Sequence, residues 1–188
     1  MNRNLLIGLG IVAVVVLGTV GMYNRVVTLD TQVSQSWGQV ENVLQRRMDL
    51  IPNLVSVVKA YAKHEREVFT KVAEARQAYA GARTVSEKAQ AASQIEGLVG
   101  RLLAIAENYP ALRASENFSR LQDELSGTEN RIAVERMRYN AAVGDYNATI
   151  RRFPTVFIAR LFGFSGKAFF EAAPNAKTVP DVGAQLGK

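Results

Sequence analysis

The stretch from Val33 to Tyr61, VSQSWGQVENVLQRRMDLIPNLVSVVKAY, decides the fold of this chain. Its apolar side chains recur in alternating steps of three and four residues, and the same stepping continues to Tyr79. Because this spacing places them on one helix face, it predicts a long helix packed along an apolar seam. The positions of this apolar seam are Val33, Trp37, Val40, Leu44, Arg47, Ile51, Leu54, Val58, Tyr61, Glu65, Val68, Val72, Ala75 and Tyr79.

Two charged residues and one proline interrupt the apolar seam. Arg47 and Glu65 either extend toward solvent or pair inside a bundle, and the candidate partners of Arg47 are Glu129 and Glu135. Pro52 removes one helical hydrogen bond, yet the three-four stepping passes it without a shift. The sequence therefore leaves open whether Pro52 kinks the first long helix or ends it.

Arg46, Arg47 and Asp49 form a short charged cluster just before this proline. Such a cluster suits either a pairing within the bundle or a contact with a partner protein, and the internal pairing is the favoured interpretation.

Two further helical runs follow. The first is expected to begin with Ser86 as cap and Glu87 in the first turn. The second extends from Phe118 to Phe153, with one irregular step where Glu135 and Arg136 compete for the apolar face. The chain is therefore predicted to be all-α, with an antiparallel bundle of three or four long, coiled-coil-like helices.

Tyr139 and Tyr146 lie seven residues apart in the last run, and each is followed by an asparagine. A spacing of seven places both tyrosines on the same helix face. They are expected to be core residues with hydrogen-bonded hydroxyls, and the alternative is a ladder that binds a peptide or ligand.

The N-terminal region differs from this body. Residues 5–22 carry no charge and one hydroxyl group, and as a helix they would extend about 27 Å, enough to cross a bilayer core. We predict a flank at 1–4, an uncleaved signal-anchor helix at 5–26 and a bundle at 27–153. Arg3 and Arg25 lie on opposite sides of the span, so charge leaves the side of the bundle open, with the extracytoplasmic side favoured.

The net charge of +6 lies outside residues 30–150, because these contain 15 acidic and 15 basic residues. This distribution argues against nucleic acid and for a membrane surface. A Phe-rich basic segment is predicted at 154–173 and a flexible tail at 174–188. Gly163 and Gly166 are expected to loosen the first of these. The candidate membrane or subunit contacts are Arg151, Arg152, Phe157, Arg160, Phe162, Phe164, Lys167, Phe169 and Phe170.

Several motifs resemble the signature of the LemA family. They include Asp49-Leu50-Ile51-Pro52-Asn53-Leu54-Val55, Glu107-Asn108-Tyr109-Pro110, Glu116-Asn117-Phe118, the Tyr139-Asn140 and Tyr146-Asn147 pairs, and Pro180-Asp181-Val182. The resemblance implies a single-pass protein of the bacterial cytoplasmic membrane with a helical-bundle domain. It also implies relatives in magnetosome membranes and others beside a membrane metalloprotease of the HtpX type, without an established activity.

The residues themselves do not suggest an enzyme. The chain has no cysteine and one histidine, His64, which excludes thiolate zinc sites and three-histidine metal sites. A di-iron carboxylate site needs Glu-x-x-His pairs, whereas Tyr61 precedes His64 by three residues. A serine hydrolase would lack a nucleophile elbow. We expect no catalytic residue, metal or cofactor.

The expected function is a membrane-anchored scaffold or adaptor that self-associates and organises membrane. The alternatives are an accessory partner of a membrane protease or another envelope quality-control system and, less favoured, a hydrolase or metal enzyme. The structural or partner contacts expected for this function are Trp37, Arg46, Arg47, Asp49, Pro52, Glu65, Glu129, Glu135, Arg136, Tyr139 and Tyr146.

Overall fold

The computed structural model describes residues 3–171, of which 86% are helical and none forms a strand. The all-α prediction is therefore confirmed. The predicted tail at 174–188 and the end of the Phe-rich segment lie outside the described residues. The helices are α1 (Arg3–Tyr61), α2 (Arg66–Gly81), α3 (Val85–Glu107), α4 (Pro110–Arg113), α5 (Glu116–Arg151) and α6 (Thr155–Leu161).

The N-terminal part of α1 has the length and composition of a membrane span. The candidate helix runs from Leu6 to Tyr61 and contains an 18-residue window with a mean hydropathy of 2.3, none of it buried. Val14 and Leu17 are 71% and 72% exposed. An apolar surface of this length left uncovered in water would be costly, which fits burial in lipid.

Pro52 lies inside α1 and does not end it. The break falls instead at residues 62–65, where the Glu65 amide donates to the Ala62 carbonyl at 3.2 Å. One helix through Tyr79 was therefore the wrong expectation for this stretch. Ala62 is fully buried, so the apolar residues on both sides of the turn face inward. The three-four spacing of apolar residues therefore gives no sign of the turn. Tyr61 is 44% exposed and Glu65 lies in the turn, so neither occupies the apolar seam.

Helix α3 begins two residues earlier than its sequence suggested. Its cap is Thr84 rather than Ser86, and Thr84 and Glu87 form a reciprocal capping box. The Glu87 carboxylate accepts from the backbone amides of Arg83 and Thr84 at 2.8 and 3.0 Å. These hydrogen bonds, that of Arg83 first, lower the pKa of Glu87.

The described chain divides into two compact units. Unit 1 combines residues 3–41 with 134–168, and unit 2 combines 42–133 with 169–171. The core of unit 1 consists of Val26, Val33, Val40, Tyr139, Val143, Tyr146, Ile150 and Ala159. The core of unit 2 consists of Leu44, Met48, Ile51, Leu54, Val58, Ala62, Val72, Ala75, Tyr79, Ala89, Ala91, Ile95, Val99, Leu102, Ala106, Leu112, Phe118, Leu125 and Ile132, with Phe170. Most of these α1 positions are those of the apolar seam, because the three-four spacing turns them inward.

Candidate functional site

Two ring contacts in unit 1 fix the register between α1 and α5. The Trp37 and Tyr139 rings lie 5.3 Å apart, and Trp37 is half-buried. Seven residues earlier on α1, Asp30 binds Lys167, which in turn lies over Tyr146, seven residues later on α5. Equal steps in opposite directions show that the two helices are antiparallel here, with one heptad on α1 matching one on α5.

The C-terminal segment, defined as residues 162–168, is held against α5 through its main chain. The Tyr139 hydroxyl donates to the Ala168 carbonyl at 2.8 Å. The Asn147 amide donates to the Lys167 carbonyl at 2.9 Å and accepts from the Lys167 amide at 2.8 Å. A side-chain amide that hydrogen-bonds to both the amide and the carbonyl of one residue holds that part of the main chain in place.

Lys167 adds a charged contact to this attachment. Its Nζ lies 2.8 Å from Asp30 Oδ1 and 5.6 Å from the centroid of the Tyr146 ring. Both side chains of the ion pair are about one-third exposed, so solvent screens their attraction. A Cβ at Gly166 would lie 3.4 Å from Asn147 Oδ1, which is the near limit of ordinary van der Waals contact.

Gly163 lets the chain turn from α6 into the C-terminal segment. Its φ is +74°, a conformation that glycine adopts without steric cost. The Phe164 amide donates to the Ala159 carbonyl at 2.8 Å and the Gly163 amide to that of Arg160 at 3.4 Å. This is a Schellman cap. The expectation that Gly163 loosens the chain is therefore wrong, because Gly163 ends α6 in a defined geometry. For Gly166 the expectation stays a prediction.

The turn brings two phenylalanines to the end of the apolar span. The rings of Phe162 and Phe164 lie 4.8 and 5.8 Å from that of Tyr23, at tilts of 59° and 56°. Tilted packing at these distances is favourable for aromatic pairs. The C-terminal segment is thus fixed at Tyr23 as well as at Asp30, Tyr139 and Asn147.

Burial raises the pKa of both tyrosines on α5. For Tyr139 the cause is loss of solvent around the hydroxyl. For Tyr146 the largest cause is again burial, followed by the negative charge of Asp30, whereas Lys167 acts in the opposite direction. Both hydroxyl groups therefore hold their protons more tightly than that of a free tyrosine does.

Unit 2 contains a different polar contact. Arg47 donates to the Glu129 carboxylate, and its side chain is 8% exposed against 42% for Glu129. The Arg47 Nε is buried and has no hydrogen-bond partner. Glu135, the other candidate, instead accepts from Arg138 at 2.8 Å on the same helix. A buried guanidinium held by one carboxylate is a structural feature whose loss would be costly.

The LemA family model matches residues 36–183, most of the chain. The chain belongs to the LemA family. It is similar to the magnetosome protein MamQ 2 of Paramagnetospirillum magneticum, at 29% identity over 87% of this chain and 70% of that protein. It is also similar to the magnetosome protein MamQ of Magnetospirillum gryphiswaldense, at 25% identity over 83% and 67%. The similarity to protein LemA of Metamycoplasma hominis is 23% over 82% and 71%.

The family motifs of this LemA protein occupy different surroundings. Asp49 accepts from Gln45 at 2.8 Å, and Arg46 and Pro52 are exposed. Arg136 is half-buried, and Glu65 lies in the turn before α2. The charged cluster before Pro52 is therefore divided, with Arg47 facing inward and its neighbours outward.

The C-terminal candidates are divided in the same way. Within unit 1, Phe164 packs on Tyr23 and Lys167 pairs with Asp30. Phe170, in unit 2, is 4% exposed. Phe169 is 43% exposed. Phe162 packs on Tyr23 and is 53% exposed. The other four candidates are exposed together with two apolar neighbours, and we call this set the basic-aromatic face: Arg151, Arg152, Phe153, Phe157, Arg160 and Leu161.

Sequence reasoning missed three residues that hold the C-terminal segment of this LemA protein. Tyr23 and Asp30 were not among the candidate contacts, and Asn147 was identified only as part of a Tyr-Asn pair. Tyr23 and Asp30 contact Phe162 and Lys167, which lie more than a hundred residues later in the sequence. The one available signal was the spacing of seven in the Tyr-Asn pairs, which indicated a common face without indicating its partner.

Proposed function

We propose that this protein is a non-enzymatic, membrane-anchored scaffold that associates with further copies of itself in the bilayer and organises the membrane around it. The observation that carries this proposal is the continuity of α1. One helix contains both the exposed apolar span and the buried positions Val26, Val33 and Val40 of unit 1. Unit 1 is therefore joined to the anchor without a flexible linker, as suits a protein that sets positions at a membrane surface.

The relatives support a role in membrane organisation. The MamQ proteins of two organisms are named as magnetosome proteins, and they match this chain over more than four-fifths of its length. A match of this extent makes it reasonable to propose for this chain a role like that of proteins assigned to the magnetosome.

Self-association has a candidate surface on α5. Among the described residues between 28 and 150, the exposed large apolar side chains are Tyr61, Val134 and Met137. Val134 and Met137 are 40% and 67% exposed and lie three residues apart, and the exposed Ala141 follows four residues later. This spacing forms an apolar stripe on one helix face. Two anchored copies meet in the plane of the membrane, where such a stripe can pair with its equivalent.

The proposal is tested with two differently tagged full-length copies expressed in one cell. Capture of one tag from detergent extracts should recover the other, whereas extracts mixed after solubilisation should not exchange. The double variant Val134→Glu and Met137→Glu should reduce co-capture at least five-fold. Gln122→Glu, an exposed polar position on the same helix, is the matched control and should leave it unchanged.

Two outcomes would overturn the scaffold proposal. One is the absence of co-capture together with single-step photobleaching of labelled protein in native membranes. The other is in-membrane crosslinking that joins the wild-type chain stoichiometrically to a membrane protease and never to a second copy, which would favour the accessory-factor alternative.

A further inference from the structure

We infer that the basic-aromatic face is a second membrane contact, which lies on the acidic headgroups of the bilayer that α1 crosses. The inference rests on α1 being a membrane span and does not depend on self-association. Its partner is a lipid surface with negatively charged headgroups.

The register of unit 1 places this face at the height of the membrane border. Trp37 is level with Tyr139, and Asp30 is level with Tyr146 through Lys167. The same pairing brings Arg25 level with Arg151, the last residue of α5, and Arg25 lies two residues after Tyr23. Tyr23 ends the apolar span, where an aromatic residue marks the boundary between lipid tails and headgroups.

A separate contact supports the same height. Phe162, the residue that follows α6, packs on Tyr23 with its ring centroid 4.8 Å away. The first residue of α6, Thr155, follows Arg151 by four residues, so both ends of this seven-residue helix are placed near the membrane border. A helix of this length extends about 10 Å, so its whole length stays within the headgroup region.

The exposed side chains of the face have the chemistry of an interfacial segment. Phe153 and Phe157 are 81% and 60% exposed, and their rings stack edge to face at 5.9 Å. Leu161, one helical turn after Phe157, is 76% exposed. Large apolar groups this exposed, and gathered within nine residues, are unusual on a surface that faces water.

The charges around these apolar groups are all positive. Arg151, Arg152 and Arg160 are exposed, and no acidic residue occurs between Asp145 and Glu171. The inward side of α6 is supplied by Ala159, which is 3% exposed. A short helix with one small buried side, exposed aromatics and flanking arginines matches the composition of helices that lie in the headgroup layer. An arginine near an acidic surface strengthens binding by about five-fold.

The absence of cysteine from the natural chain makes a direct test possible. Full-length Phe157→Cys and, as control, Gln122→Cys are labelled with an environment-sensitive fluorophore and placed in nanodiscs that hold one copy each. The discs contain phosphatidylcholine alone or with 30% phosphatidylglycerol, and a nitroxide on the lipid headgroup acts as quencher. We expect strong quenching at 157 and little at 122.

Acidic lipid should increase the quenching at 157, and the variant Arg151→Gln, Arg152→Gln, Arg160→Gln should abolish this increase while helical content stays unchanged. Equal quenching at 157 and 122 would overturn the inference. So would an increase that appears only in discs with two copies, because the face would then be a subunit interface. Quenching that is independent of phosphatidylglycerol would overturn the recognition of acidic headgroups.

Failure of this test leaves the co-capture result unaffected, since single-copy discs contain no second copy. Conversely, loss of co-capture in the Val134→Glu and Met137→Glu variant leaves the quenching at 157 unaffected. The two proposals therefore succeed or fail separately.

Discussion

Arg47–Glu129 in unit 2 and Lys167–Asp30 in unit 1 are both ion pairs between residues far apart in sequence, yet their surroundings differ. The Arg47 side chain is 8% exposed, whereas those of Lys167 and Asp30 are 38% and 34% exposed. A charge that is removed from water needs its ion-pair partner for stabilisation, whereas a charge in contact with water is stabilised by hydration. The comparison shows that burial, rather than the presence of a pair, decides what each contact contributes.

The largest expected effect is in unit 2. Glu129→Ala leaves a buried guanidinium without a carboxylate and should lower the free energy of unfolding by about 3 kcal/mol. Arg47→Met should cost less, because the remaining Glu129 is 42% exposed and can be hydrated. Denaturant titration of the detergent-solubilised protein measures both. The double variant Arg47→Met and Glu129→Leu serves as control and should recover most of the loss. Equal costs for the two single variants would contradict the assignment of Arg47 as the buried partner.

The next effect concerns the main-chain attachment in unit 1. Asn147→Ala removes both hydrogen bonds to Lys167 and should cost about 1–2 kcal/mol, because each bond contributes about 1 kcal/mol. Amide hydrogen exchange at Lys167 should accelerate at least ten-fold, with little change in α2 and α3. Asn140→Ala, a half-buried asparagine on the same helix, is the control for general loss of α5. Unchanged exchange at Lys167 in Asn147→Ala would show that the segment is held by other contacts.

A smaller effect is expected from the tyrosines at alkaline pH. Burial raises the pKa of Tyr139 in the folded protein above that of an unfolded tyrosine, which is about 10. Its stabilising contribution is therefore complete below pH 10 and is lost as the pH rises through the folded pKa. Tyr139→Phe should cost about 1 kcal/mol at pH 8, from the lost bond to Ala168, and should flatten the alkaline loss. Unfolding midpoints between pH 8 and 11 test this, and an unaltered alkaline slope would contradict it.

The smallest effect should come from the exposed pair. Lys167→Ala should lower the free energy of unfolding by less than about 1 kcal/mol, and the difference from wild type should shrink further in 0.5 M salt. Lys71→Ala removes an exposed pair within α2, with Glu67, and provides a matched control of similar size. A loss from Lys167→Ala as large as that from Glu129→Ala would remove the contrast between the two pairs.

The parts of the fold that depend on periodicity were predictable. Val33, Val40, Leu44, Ile51, Leu54 and Val58 are all buried on α1, as their spacing indicated. Periodicity reports which side of a helix is apolar, and that information is local.

Apart from the Arg47–Glu129 pair, whose partner was one of two candidates, the turn between α1 and α2 and the contacts between distant residues were not predictable. The turn at 62–65 contains no proline or glycine and buries Ala62, so its composition resembles that of the helices around it. The partner of Asn147 is the main chain of Lys167, which leaves no side-chain signature in the sequence. Gly163 was expected to loosen the chain because its positive φ becomes evident only in the folded turn.

The unbroken course of α1 fixes the rotation of its candidate membrane span about the helix axis relative to the rest of the helix. Successive residues turn by about 100° around a helix axis, so the orientation of the span within the bilayer determines the direction in which Asp30 and Trp37 point. One alanine inserted between Val27 and Thr28 would rotate Asp30 and Trp37 by that angle relative to the span. Seven inserted residues would nearly restore the direction while moving the rest of unit 1 about 10 Å away from the lipid. The number of residues between the span and Asp30 thus sets both the rotation of unit 1 about the helix axis and its distance from the bilayer.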